Sequence, residues 1–210
     1  MNIAIIGASA GVGLETVKRA LDRNHKVTTL SRSEINLPQN ANLTSLKGSA
    51  TNKADLKKSI ENADAVIVTL GKGKSMKATT LFSDFAKLLV EVQQETGAQI
   101  PFIILTGFGA GESGKYNTFL MKLFFKFLLK DVYADKTKME EIIAASKIKW
   151  VIARPGLLKN KSLTEKYRVE TNLFNGINIG EISRADVADF LVKQAENPTE
   201  LFKYPALSNQ

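Results

Sequence analysis

The first thirty-three residues constrain this chain most. Asn2-Ile3-Ala4-Ile5-Ile6 is an apolar run of strand type. Gly7-Ala8-Ser9-Ala10-Gly11-Val12-Gly13 is a glycine-rich turn, and a helical apolar pattern then continues to Asn24. Lys26-Val27-Thr28-Thr29-Leu30 reads as a second strand, closing at Ser31-Arg32-Ser33. Strand, glycine turn, helix and strand in this order form the context in which such glycines signal a dinucleotide-binding site. Gly7 stands where the chain must turn sharply. Gly11 lets backbone approach a pyrophosphate, and Gly13 lets the helix pack closely on the sheet. The helix start then offers free N–H groups and partial positive charge to phosphates.

The end of the second strand bears on which dinucleotide is bound. A site selective for NAD places Asp or Glu there, about 20 residues beyond the glycines, to hold the ribose 2′-hydroxyl. Ser31-Arg32-Ser33 occupies that place, and Asp22 comes too early, inside the helix. A guanidinium at Arg32 can pair with a 2′-phosphate and stack on adenine, with Ser31 or Ser33 donating to the same group. NADP(H) is therefore expected over NAD(H).

Strand and helix signals alternate along the rest of the chain, as in a doubly wound sheet. Leu43–Lys47 is a third strand, ending at Gly48-Ser49-Ala50-Thr51. A short helix over Asn52–Ile60 has Asn52 as its N-cap. Ala63–Leu70 reads as a buried fourth strand running into Gly71-Lys72-Gly73-Lys74. A helix from about Thr79 to Thr96 carries Leu81, Phe85, Leu88, Leu89 and Val92, with Gly97 as its stop. Ile100–Thr106 is the fifth strand, and the glycine-dense Gly107–Gly114 loop after it is where substrate contacts belong. Two helices are expected next, Thr118–Lys130 and about Tyr133–Ser146, then a strand over Lys149–Ala153 ending at Arg154-Pro155-Gly156. The remainder suggests a strand near Val169, a helix over Arg184–Glu196 and an edge strand near Leu201–Tyr204. The expected fold is α/β. It is a single Rossmann-like, doubly wound parallel sheet of six or seven strands in the order 3-2-1-4-5-6(-7). One NAD(P)-binding domain spans residues 1–210, with a small substrate-side region within about 107–118 and 156–183.

Composition closes several other routes. There are 210 residues, 44% hydrophobic, enough for a sizeable core. No cysteine is present, so no disulfide framework or thiolate chemistry arises, which fits a reducing, cytoplasmic location. The N-terminus opens on a strand without a charged leader, so no signal peptide is expected. No apolar run reaches the 18 or so residues of a membrane-spanning helix. The net charge of +8 is scattered, and a polyanionic small molecule accounts for it. No zinc-ligand cluster or nucleic-acid-binding motif is visible, so neither a metal nor a nucleic-acid partner is expected. The single histidine, His25, reads as a surface turn residue. Lys122, Lys126 and Lys130 recur every four residues among Phe and Leu. That pattern suits either a packed helix with its lysines in water, the favoured reading, or a helix lying on a membrane surface.

Several further stretches carry a resemblance. They are Leu30-Ser31-Arg32, Asp64–Gly71, Asp135-Lys136 with Met139-Glu140, Trp150–Gly156 and Ile182–Ala188, taken with Gly7, Gly11 and Gly13. In these the chain resembles the atypical short-chain dehydrogenase/reductases. It is most similar to their NAD(P)-binding, NmrA-like group, which includes biliverdin reductase B and flavin reductase-type proteins. The resemblance implies that Gly7, Ser9, Ala10, Gly11, Val12 and Gly13 wrap the pyrophosphate and that Arg32, with Ser33, takes the 2′-phosphate. It sets Ser49 and Ala50 by the adenine, although the family often has Asp at the Ser49 position, and Leu70 and Gly71 by the adenosine ribose. Thr106 and Gly107 would lie beneath the nicotinamide, Lys136 would hold its ribose, and Arg154, Pro155 and Gly156 would flank its amide.

One departure shapes the chemistry. The catalytic branch of that superfamily uses Tyr-x-x-x-Lys, in which lysine lowers the tyrosine pKa. With Lys136 as the lysine, the tyrosine position is Val132. Tyr133 lies about 100° away around a helix. Thr106, Tyr116 and Lys136 remain the catalytic candidates. A conjugated acceptor can take its proton from water, so the sequence points to NADP-dependent reduction of a small aromatic, flavin- or quinone-like molecule. The alternative is a non-enzymatic NADP(H)-sensing regulatory protein of the NmrA-like kind. A nucleotide-sugar epimerase is disfavoured, because it needs a tyrosine base and more chain than residues 156–210 supply. A small-molecule substrate is the expected partner, with no membrane partner and an oligomeric state of monomer or dimer.

Overall fold

The computed structural model describes residues 1–71, 73 and 80–210. Lys72, Lys74, Lys77 and the expected helix start at Thr79 fall outside the described residues.

A short apolar run with every side chain buried suits a strand covered on both faces, and the centre of the sheet is built so. The strands β1 (Asn2–Ile6), β2 (Lys26–Ser31), β3 (Leu43–Lys47), β4 (Ala65–Val68), β5 (Pro101–Leu105) and β6 (Lys149–Pro155) are parallel, in the order β3-β2-β1-β4-β5-β6. Ile3, Ile5, Ile67, Ile103 and Val151 face one layer of helices, α1 (Gly11–Asp22) and α6 (Arg184–Glu196). Ala4, Ile6, Val66, Val68, Phe102, Ile104 and Ile152 face the other, with α2 (Lys53–Ile60), α3 (Leu81–Thr96) and α5 (Lys130–Ala144).

The sheet has more strands than the six or seven expected. The strand β10 (Ala206–Asn209) pairs parallel with β6, and β8 (Tyr167–Glu170) pairs antiparallel with β10. A small separate pair joins β7 (Leu157–Lys159) to β9 (Glu181–Ser183). The edge strand expected near Leu201–Tyr204 is displaced toward the C-terminus and is flanked on both sides. Phe202 takes φ +60°, and Lys203 turns back to donate to Glu200, so pairing is regular only from Ala206. The strand expected to end at Ala153 continues through Arg154 and Pro155.

Two expectations about side chains change. His25 is buried and its Nε2 lies 2.6 Å from Glu196, which also accepts from Arg23, so it is not a surface turn residue. The expected break between helices 118–130 and 133–146 is absent. Helix α4 (Phe119–Phe124) passes through one wide π turn, Phe125–Leu129, straight into α5. No glycine or proline stands between Thr118 and Ser146 to stop it. The favoured packing of this segment is not what is seen either. Met121, Leu123, Phe127 and Leu128 are exposed.

Candidate functional site

The glycine turn is shaped by what it cannot hold. Gly7 takes φ +90°, and a β-carbon there would come within 2.8 Å of the Thr69 carbonyl oxygen. A β-carbon at Gly13 would strike the carbonyl oxygen of Gly7, so the first turn of α1 lies hard against the end of β1. Gly11 takes φ +58°, where glycine is favoured. Helix α2 is capped by the Asn52 side chain and α6 by Ser183. The N-cap of α1 is Ala10, which has no side chain able to cap, and no acid stands in its first turn. The leading N–H groups of α1 are thereby left to a ligand, and the cradle fits a pyrophosphate.

Arg184, the first residue of α6, reaches this turn. Its Nε lies 3.8 Å from where a β-carbon on Gly11 would stand, and its Nη1 donates to Asn160 Oδ1 at 2.8 Å. No carboxylate pairs with it among the described residues. The motif Ile182–Ala188 was visible in the sequence, but nothing local to it says that Arg184 comes back to Gly11. The signal was a cation at a helix start, where a cation gains nothing from the helix dipole.

Beyond the end of β2, Ser31 closes a tight turn by donating its hydroxyl to the Ser33 carbonyl at 2.7 Å, and this leaves Arg32 exposed on the cleft rim. Ser33, Ser49, Ala50, Thr51, Leu70 and Gly71 line the same cleft. The Ser49 amide is fixed by Asp55 at 2.9 Å.

At the other end, helix α5 turns a row of functional groups inward. Asp135 is buried and caps α3, accepting from the backbone amides of Phe82 at 2.9 Å and Ser83 at 3.2 Å. Lys136 donates from Nζ to the Thr106 carbonyl at 2.6 Å and lies 5.4 Å from the Phe82 ring centre and 5.2 Å from that of Tyr133. Desolvation pulls its pKa down to about 8, with Glu140 opposing. Glu140 is buried and accepts from the Thr106 hydroxyl at 2.6 Å and from Arg154 at 2.7 Å and 3.2 Å. The Thr106 proton is thus already engaged.

The remaining candidates sit apart from the cleft. Arg154 is fully buried, paired with Glu140 and with Glu112 at 3.1 Å, and stacked 4.1 Å from the Tyr204 ring centre. Neither Arg154 nor Pro155 nor Gly156 is among the lining residues, and Gly156 packs on the Gly180 carbonyl. Tyr116 is not among the lining residues either and packs against the small cluster of Phe108, Ile177 and Ala206. Tyr133, which sequence spacing sets aside, is turned toward Gly107, while Val132 goes into the core. A β-carbon on Gly107 would lie 2.8 Å from the Tyr133 hydroxyl. Burial, helped by the Glu140 charge, pushes that phenol up to about 12.

Together these surfaces enclose a cleft of about 690 Å³ running from Arg32 past the glycine turn to Thr106 and Lys136. Its described lining includes Arg32, Lys136 and Arg184 and no carboxylate. Such a surface suits a long, polyanionic ligand bound in the crevice at the carboxyl ends of the strands, where the order reverses between β1 and β4.

Comparison with known proteins agrees with that geometry. The Bacillus subtilis (strain 168) protein YhfK, named an uncharacterised sugar epimerase, is 26% identical over 202 residues, covering 91% of this chain and 86% of YhfK. ChuY from Escherichia coli O157:H7, an anaerobilin reductase, superposes with a TM-score of 0.78 at 20% identity, covering 100% of this chain and 97% of ChuY. A short-chain dehydrogenase/reductase from Veillonella parvula DSM 2008 in complex with NADP has a TM-score of 0.81 at 17% identity, covering 99% and 94%. The sequence profile that describes NAD(P)H-binding proteins matches residues 7–198 of this chain, and the protein belongs to that NAD(P)H-binding family.

Proposed function

We propose that the protein is an NADPH-dependent reductase acting on a small, conjugated acceptor of flavin, quinone or tetrapyrrole type. The observation that carries this reading is the charge of the cleft: Arg32, Lys136 and Arg184 line it with no carboxylate among the described residues. A ribose 2′-hydroxyl would call for an acid near Arg32, and a 2′-phosphate calls for a cation. The reductase name of ChuY and the NADP bound to the Veillonella protein support the same reading.

The bound nicotinamide supplies a hydride; the protein's part is binding, orientation and protons. In this reading the amides of Gly11–Gly13 and the Arg184 guanidinium hold the pyrophosphate. Arg32 holds the 2′-phosphate and stacks on the adenine. Lys136, anchored to the Thr106 carbonyl, presents its remaining N–H groups to the nicotinamide ribose. Glu140 and Arg154 act from behind, fixing Thr106 and the end of β5. The Tyr133 hydroxyl over Gly107 stays protonated through the working pH range, so it donates a hydrogen bond and leaves the proton itself to water. A sugar epimerase, the name carried by YhfK, needs a tyrosine base, and Val132 stands at the position four residues before Lys136 where the catalytic tyrosine of that superfamily would be.

A second reading, an NADP(H) sensor without turnover, draws on the engaged Thr106 proton. One experiment separates the two. Fluorescence titration with NADPH and NADH is followed by an absorbance assay of NADPH oxidation with FMN, a quinone and a bilin. Tight NADPH binding with turnover is expected. Equal affinity for oxidised and reduced cofactor with no turnover would leave the sensor, and binding of neither nucleotide would overturn both.

A further inference from the structure

We infer that the α4–π segment is an anionic-membrane docking element, and that the protein binds reversibly to the surface of bilayers containing acidic lipid. Two independent features meet here. The first is apolar exposure on a helix, where burial is the norm. Phe127 is 72% exposed, Leu128 54%, Leu123 45% and Met121 38%. The second is charge. Between Ser113 and Lys130 the sequence has lysines at 115, 122, 126 and 130 and no acid at all. Lys122 and Lys130 are exposed.

The charge pattern decides the occupant. A two-fold contact between copies sets the same patch against itself, so the lysines would meet lysines with no acid in the segment to neutralise them. An acidic protein partner would satisfy the lysines, but the large exposed apolar side chains alternate with them along the helix. A bilayer interface takes both at once: apolar side chains enter the acyl boundary and lysines meet acidic headgroups. A further exposed aromatic lies at the same end. Phe174, 61% exposed, follows Leu173, which packs against the same small cluster as Tyr116, just ahead of α4. The segment is too short and too charged to span, and no helix among the described residues is long and apolar enough to cross a membrane. Docking here is interfacial.

The test is flotation of the full-length protein with vesicles of phosphatidylcholine alone and of phosphatidylcholine mixed with phosphatidylglycerol. Binding only to the mixed vesicles, weakened by high salt, is expected. The double variant Leu123→Ser/Phe127→Ser and the charge variant Lys122→Glu/Lys130→Glu should each lower the partition coefficient about tenfold or more. Both pairs are exposed, and unchanged thermal melts with unchanged NADPH binding would show that the variants fold. Equal absence of binding to both vesicle types would overturn the inference. So would dimerisation on size exclusion that the same variants abolish, or binding to polyglutamate without binding to vesicles. None of these outcomes depends on whether the protein turns over NADPH.

Discussion

Arg32 and Arg184 line one cleft but come from the end of β2 and the start of α6, and they should fail differently. A hydrogen bond to a charged group contributes about 1.5–3 kcal/mol. Arg32→Ala should therefore weaken NADPH about tenfold to a hundredfold while leaving NADH nearly unchanged, because only the former carries the 2′-phosphate. Arg184→Ala, acting at the pyrophosphate common to both, should weaken both by about tenfold. Fluorescence titration of the two variants checks this, and a swapped pattern would remove the phosphate assignment of Arg32. Lys136 allows a prediction in pH. Its pKa in the folded protein is lowered from 10.5 to about 8, so between those values the unfolded chain binds more protons. Stability then rises with pH across that window, and the desolvation penalty is fully felt below it. Lys136→Met lacks this term. Its melting temperature relative to wild type should be highest below about pH 8 and should fall as pH approaches 10.5. A difference that does not move with pH would place the ammonium in solvent.

Among the elements, α5 shows what sequence could and could not tell. The stretch with Asp135, Lys136, Met139 and Glu140 was read as helical and as part of the family resemblance. The partners did not follow from it, because α3, β5 and β6 supply them from distant stretches. Asp135→Ala removes the cap of α3 and leaves two buried amides unpaired, so a loss of about 1–3 kcal/mol in urea unfolding is expected. Retention of full stability would mean the α3 amides find another acceptor. The central strands β1, β4, β5 and β6 were legible for a physical reason: each carries a largely apolar run that suits a sheet covered on both faces. The strand near Val169 was legible as well and is β8; its antiparallel pairing with β10, and the shift of the last strand to Ala206–Asn209, were not, since each depends on a segment far along the chain. The helix at 118–130 misled in the opposite sense. Its composition reads as core, yet most of its described apolar side chains face out. At the site, the glycine turn and Arg32 could be read directly. Arg184 and Tyr133 could not, because each owes its place to a contact across the fold.

At the scale of the molecule, a ligand that binds only the folded cleft adds to stability. A ligand at a hundredfold excess over its Kd stabilises by about 2.7 kcal/mol. For a chain of this size that raises Tm by roughly 5–10 °C. NADPH should produce that rise in a thermal melt, and added salt should shrink it by screening the cations of the cleft. A rise from NADH equal to that from NADPH at matched concentration would count against the 2′-phosphate assignment.

The place of β10 between β6 and β8 has a consequence for biosynthesis. A ribosome delivers β1 to β6 in sequence, and each parallel neighbour can dock as it emerges. The strand β8 cannot. Its neighbour in the sheet is Ala206–Asn209, which is translated later. The nascent chain therefore carries a formed nucleotide-binding half beside an unpaired Tyr167–Glu170, until Ala206–Asn209 pairs with that strand and with β6.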